Sequence, residues 1–195
     1  MGKLILVVHT SLDGYVAGPG GSLEGFDKGE ENLEFVCTLT EEAGTALFGR
    51  ISFELLEMYW PTAKDHPQAT RGEILFSSWY NQAKKIVFSK SMPPGQVDNL
   101  IILDEIKTDE IIQFKNSMDR DILIFGSPSI AQAFIRLDLI DEYWIFINPV
   151  MFGQGVPLFT PTEKNLKLIF IRSVTFSNGE IALHYIKPEK IGILM

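Results

Sequence analysis

Apolar residues along the 195-residue chain gather in short runs broken by polar and glycine-rich stretches. Residues 3–9, KLILVVH, are β-branched and apolar without alternation, the pattern of a strand buried on both faces. They lead into a polar turn over 10–14 and then Gly18-Pro19-Gly20-Gly21, a flexible loop. Leu33, Val36 and Cys37 stand at i, i+3, i+4 and predict an amphipathic helix over 30–39. A brief strand over 46–48 ends at Gly49. Leu55, Leu56 and Tyr59 then form a helical stripe that stops before Pro61. Residues 61–76 read as mixed loop and 77–82 as a short helix.

The second half alternates more cleanly. Strands are expected over 85–89, 100–103, 122–125 and 143–147. Thr108 is placed to cap a helix lined by Ile111, Phe114 and Met118, and Ser127 or Ser129 to cap one lined by Ile130, Phe134 and Leu137. Residues 166–176 and 181–186 form a terminal hairpin turning at Ser177-Asn178-Gly179. The order β-α-β-α-β-β-α-β-α-β-β-β predicts a three-layer α/β/α domain, its central sheet mainly parallel with an antiparallel C-terminal hairpin. The expected organisation is a single domain over 1–188 and a C-terminal tail over 189–195.

Composition narrows the function. With 17 basic and 25 acidic residues the formal charge is −8, which argues against a nucleic-acid binder. The longest apolar runs, 4–8 and 143–147, are far short of the roughly 20 residues a membrane span needs. The chain enters a strand at once without a basic-then-apolar signal segment, and Cys37 is its one cysteine, so the expected setting is the reducing cytoplasm. His9, His66 and His184 fall in a strand, a loop and a hairpin, each reading as a packed or solvated imidazole, and no metal is expected. Residues 24–42 hold seven acids against Lys28 alone, a local charge of −6. An anionic substrate is therefore not expected beside them.

Walker, nucleophile-elbow, H-E-x-x-H and C-x-x-C motifs are absent. What remains is a repeated device in which small or polar residues stand where a strand passes into a helix. Gly49, Arg50, Ile51 and Ser52 make one such junction, and Gly126, Ser127, Pro128, Ser129 and Ile130 another. Helix starts offer unpaired N–H groups and a partial positive charge to phosphates. Ser89 and Lys90 add a hydroxyl and an ammonium at a third strand end. At the carboxyl ends of parallel strands, all three converge on one crevice. Capping alone also explains each junction.

Those segments, taken with Ser11-Leu12-Asp13-Gly14-Tyr15-Val16-Ala17, Leu139-Ile140-Asp141-Glu142-Tyr143 and Pro149-Val150-Met151-Phe152-Gly153-Gln154-Gly155, carry a resemblance. The chain resembles the C-terminal reductase domain of the bifunctional riboflavin-biosynthesis deaminase-reductase, and most closely its stand-alone members, within the dihydrofolate-reductase-like fold. The resemblance runs over about residues 3–187. It implies an NADPH-dependent reductase, with Val16 and Ala17 against the nicotinamide. It places the diphosphate and 2′-phosphate at Gly49 to Ser52, the adenine-side strand end at Ser89 and Lys90, and the diphosphate turn at Gly126 to Ile130.

The sequence departs from that pattern at three places. The family's paired glycines are Gly126-Ser127, and a serine reaches an unusual backbone less easily than glycine. The acidic, proline-linked substrate motif of the riboflavin reductases is replaced by Gly49-Arg50-Ile51-Ser52-Phe53-Glu54. The folate enzymes' pocket acid has Glu31 as its nearest match, with Asn32 a rival by a one-residue shift. Glu31 and Asp13 are the candidate catalytic acids, each with a plain alternative: a solvated helix-face carboxylate and a turn aspartate bonding its own backbone. Tyr59 and Trp60 are candidates to stack on a substrate ring. The expected function is NADPH-dependent reduction of a small heterocyclic or carbonyl substrate by a homodimer. The alternatives are a non-catalytic nucleotide-binding protein, a true dihydrofolate reductase, and a structural protein that binds no dinucleotide.

Overall fold

The computed structural model describes residues 2–27, 29–161 and 165–188. The expected tail over 189–195 lies outside them. Nine strands form one sheet: β1 (Leu4–Ser11), β3 (Ala43–Gly49), β4 (Lys84–Phe88), β5 (Gly95–Val97), β6 (Leu100–Leu103), β7 (Asp121–Phe125), β8 (Glu142–Asn148), β10 (Ile169–Thr175) and β11 (Ile181–Ile186). Their order is β10-β11-β8-β1-β7-β3-β4-β6-β5. The six strands from β8 to β6 run parallel, and the outer pairings are antiparallel. A separate two-stranded ribbon pairs β2 (Tyr15–Ala17) with β9 (Val156–Pro157).

Strand side chains alternate between the two faces, so each buried strand feeds two cores. Leu4, Leu6, Ile122 and Ile124 face the helices α5 (Thr108–Ser117) and α6 (Pro128–Arg136). Ile5, Val7, Leu123 and Phe125 face α1 (Glu30–Thr40), α2 (Arg50–Glu57) and α4 (Arg71–Gln82). A four-residue helix, α3 (Trp60–Ala63), bridges α2 and α4. At the amino ends of the strands Asp141 accepts from the Leu4 amide at 2.9 Å and pairs with Lys115 at 2.6 Å. That edge is thereby pinned, and the carboxyl ends of β1, β7, β3 and β4 stand side by side at the other.

The three-layer expectation holds, and the differences are local. Residues 61–76 are largely helical, because Thr70 and Glu73 close a reciprocal capping box that starts α4 well before residue 77. Thr108 is the first helical residue, and neither it nor the N-cap Lys107 makes a side-chain cap. The short strands β2, β5 and β9 lack the length for a readable alternation. Gly155 explains the β2–β9 ribbon: a Cβ there would stand 2.1 Å from the Ala17 carbonyl oxygen, so only glycine lets the two backbones meet. Phe134 is fully buried on α6 and packs edge-on against Phe88 with ring centroids 5.8 Å apart. Phe134→Ala should destabilise the fold by about 3–5 kcal/mol in urea denaturation, through lost transfer energy and the cavity left behind.

Candidate functional site

The carboxyl ends of the parallel strands surround a cavity of about 760 Å³. Its walls bring together the residues singled out at the three strand ends: Gly49, Arg50, Ile51 and Ser52 after β3, Ser89 and Lys90 after β4, and Gly126, Ser127, Pro128 and Ser129 after β7. Val16 and Ala17 of β2 also line it. Ile130 is not on the wall. It is buried beneath it, with its Cγ1 3.1 Å from where a Cβ on Gly49 would sit.

Two hydrogen bonds join the junctions. The Gly49 amide donates to Ser127 Oγ at 2.8 Å, and the Ser127 amide donates to Ser52 Oγ at 3.1 Å. Gly126 and Ser127 both take left-handed backbone angles, φ 52° and 46°. The strain a serine meets there is offset by the two bonds its backbone and hydroxyl make. Ser127 occupies the N-cap position of α6, yet its hydroxyl does not cap that helix, and Gly49 at the head of α2 has no capping side chain. Helix α2 therefore presents uncapped N-terminal N–H groups beside the cavity, and α6 presents that of Ser129, since Pro128 has none and the Ile130 N–H donates to the Ser127 carbonyl at 2.9 Å. Arg50 Nη1 donates to both Glu54 carboxylate oxygens, at 2.9 and 2.7 Å. Ser89 Oγ accepts from the amides of Ser91 and Met92 and so shapes the turn that carries Lys90.

The candidate acids stand elsewhere. Glu31 faces a separate groove with Glu34 and Arg71. Its carboxylate accepts from the Ser177 amide at 2.9 Å, and that bond lowers its pKa from the ordinary value. Asp13 accepts from Ser11 Oγ and from the amides of Phe152 and Gly153, which lower its pKa and tie the β1–β2 turn to the loop after β8. The acids of 24–42 are likewise absent from the described cavity wall, which takes Leu23, Phe26, Asn32, Leu33 and Val36 from that stretch. The wall there is apolar, not anionic, which removes the charge argument drawn from the sequence. Trp60 does line the cavity, tilted against Phe76. Tyr59 bonds Glu73 instead.

Asn32, the one-residue rival, is buried on the wall and leads to a group the sequence did not reveal. Its amide donates to Glu180, a fully buried carboxylate just before β11. Glu180 also shares a hydrogen bond of 2.7 Å with His9 Nδ1 and accepts from Asn148 Nδ2 at 2.9 Å. Burial pushes the Glu180 pKa up, but His9 and the two amides outweigh it, and the net direction is down. His9 lines the cavity. It stands at the carboxyl end of β1, where the crevice rule applied to β3, β4 and β7 would have found it. Nothing in the sequence flags Glu180, 171 residues away.

The match to known proteins is extensive. Residues 2–182 match the RibD C-terminal domain, and the chain belongs to that family. It is similar to the uncharacterized protein YyaP of Bacillus subtilis (strain 168), 30% identical over 186 residues covering 94% of each chain. It is also similar to the crystal structure of a putative riboflavin biosynthesis protein from Shewanella sp. PV-4. That match has a TM-score of 0.70 and 25% identity, covering 94% of this chain and 98% of the other. The dihydrofolate reductase of Enterococcus faecalis complexed with NADP(H) shares the fold, with a TM-score of 0.63 and 13% identity over 95% and 96% of the chains. The fold is thus reductase-like, of the dihydrofolate-reductase type.

Two outcomes are expected of variants here. Ser127→Ala leaves the Gly49 N–H without a partner and should cost about 1–3 kcal/mol in urea denaturation. Glu180, whose folded-state pKa is depressed, contributes stability that is complete above its ordinary value of 4.5 and lost as pH falls through the folded value. Glu180→Gln should therefore be less stable than the parent at neutral pH, with the gap narrowing below pH 4.5 in acid-denaturation series.

Proposed function

We propose that the protein is an NADPH-dependent reductase acting on a small heterocyclic or carbonyl compound. The observation that carries this reading is the joining of two uncapped helix starts, Arg50 and Lys90 around one cavity whose remaining wall is mainly apolar and aromatic. The N–H groups that open α2, with that of Ser129 on α6, match a diphosphate, and Arg50 with Ser52 a 2′-phosphate. Ser89 and Lys90 hold the adenine side, and Val16 and Ala17 lie against the nicotinamide. The reduced dinucleotide supplies a hydride when bound, and the chain's task is to hold two rings in contact and keep water out.

The substrate is not phosphorylated. Arg50 follows β3 and Lys90 follows β4, two and three strands from β1, roughly 10 and 14 Å at about 4.8 Å per strand. The described wall toward α1 holds no lysine or arginine to meet a second phosphate. The reaction belongs to the cytoplasm, and the exposed Phe170 and Ile171 on edge strand β10 support a homodimer.

Calorimetric titration with NADPH, NADH and FMN tests the cofactor. NADPH should bind one per chain, and Arg50→Gln should weaken it about 10-fold or more, the loss of a charge-assisted hydrogen bond. No heat with either nicotinamide dinucleotide contradicts the reading. Rapid NADPH consumption with the phosphoribosyl-pyrimidine intermediate contradicts the substrate assignment.

A further inference from the structure

We propose that His9, positioned by Glu180, is the proton donor of this site, and that its substrate is an uncharged heterocycle. The inference rests on the reductase reading above and assigns its acid to β1 and the terminal hairpin instead of to α1.

Three observations carry it. First, the Glu180 carboxylate accepts from Asn32 Nδ2 on one oxygen and from Asn148 Nδ2 on the other, and meets His9 Nδ1 at 2.7 Å. With a donor already on each oxygen, an ionised carboxylate that accepts from the imidazole satisfies all three contacts and fixes the ring proton on Nδ1. Second, the carboxylate is fully buried while the His9 side chain is 39% accessible on the cavity wall. The anion cannot reach a ligand, but the imidazole can. Third, Nε2 makes no hydrogen bond to a described residue, and the ring is held by stacking on Phe146 with centroids 4.6 Å apart. The groups facing His9 are Glu180 from the hairpin, Asn148 and Phe146 from β8, and Asn32 of α1 through the shared carboxylate. Of these only Glu180 carries a charge.

Asn32 strengthens the assignment. An amide at that position cannot give up a proton, so the acid must come from elsewhere, and His9 is the titratable group the same network delivers to the cavity. With the dinucleotide bound, a hydride would pass from it to a ring carbon of the substrate, leaving the dinucleotide oxidised, and the electron pair of the π bond so broken would fall on the adjoining nitrogen. That pair takes its proton from His9 Nε2, and the reduced substrate leaves as an amine. The neutral imidazole keeps its Nδ1–H on Glu180 and regains a proton from water.

Two measurements on the full chain test this. In the ligand-free protein at alkaline pH, side-chain ¹⁵N–¹H correlation should find His9 protonated at Nδ1 and bare at Nε2, and Glu180→Gln should shift protons to Nε2. A parent already protonated at Nε2 overturns the dyad. NADPH consumption with the neutral cyclic imine 7,8-dihydropterin should fall about 100-fold in kcat for His9→Gln, the scale of lost general-acid catalysis. NADPH fluorescence titration should be unchanged in both variants. NADPH binding without consumption of dihydropterin by the parent overturns the substrate class, and equal kcat in the parent and His9→Gln overturns the proton donor. No NADPH binding to the parent overturns the reductase reading itself, whatever the tautomer.

Discussion

The site depends on the pair of hydrogen bonds that Ser127 makes across the ends of β3 and β7. Parallel strands place their carboxyl ends together, but only in the general sense that any such sheet does. The Ser127 hydroxyl takes the Gly49 amide and its own amide is taken by Ser52, so two helix starts are held in one frame. To do so the backbone at 126 and 127 stays left-handed at consecutive positions. A serine in that conformation is a local cost that the tie offsets, and its hydroxyl, engaged with the Gly49 amide, makes no cap to α6. The uncapped N–H groups beside the cavity and the strained turn are thus one feature.

A second polar device stands at the β1 side of the same cavity. Three donors surround a fully buried carboxylate, and the elements they come from are β1, α1 and β8. Glu180 therefore joins the terminal hairpin to the centre of the sheet while presenting His9 to the interior. Between the two devices the wall is apolar and aromatic, with Trp60 and Phe76 in contact. Charge at the two ends and apolar surface between them suit a long ligand that is anionic at one end and a flat neutral ring at the other.

The strand–helix alternation was legible because each buried strand is a short apolar run and each helix carries its own stripe. The strand-end residues from Gly49 to Ser52 and from Gly126 to Ser129 were legible for the same reason, since they sit where one period gives way to the next. Helix α4 was not, because its opening turn is held by the Thr70–Glu73 exchange and not by an apolar stripe. The β2–β9 ribbon was hidden because two or three residues carry no period, and what permits it is the missing side chain at Gly155. Asn32 was visible only as an ambiguity of one residue. Glu180 was out of reach because its meaning lies entirely in partners at positions 9, 32 and 148. The acidic stretch misled, since its carboxylates turn away from the cavity while its apolar residues form the wall.

The central claim is that one dinucleotide spans the three strand ends. Backbone ¹⁵N–¹H chemical-shift mapping during NADPH addition tests it directly. The account predicts that the amides of residues 49–52, 89–91, 126, 127, 129 and 130 move together at one saturating concentration, with smaller shifts at Val16 and Ala17. Shifts confined to the groove around Glu31 and Arg71, or three groups of amides that saturate at different concentrations, would contradict it.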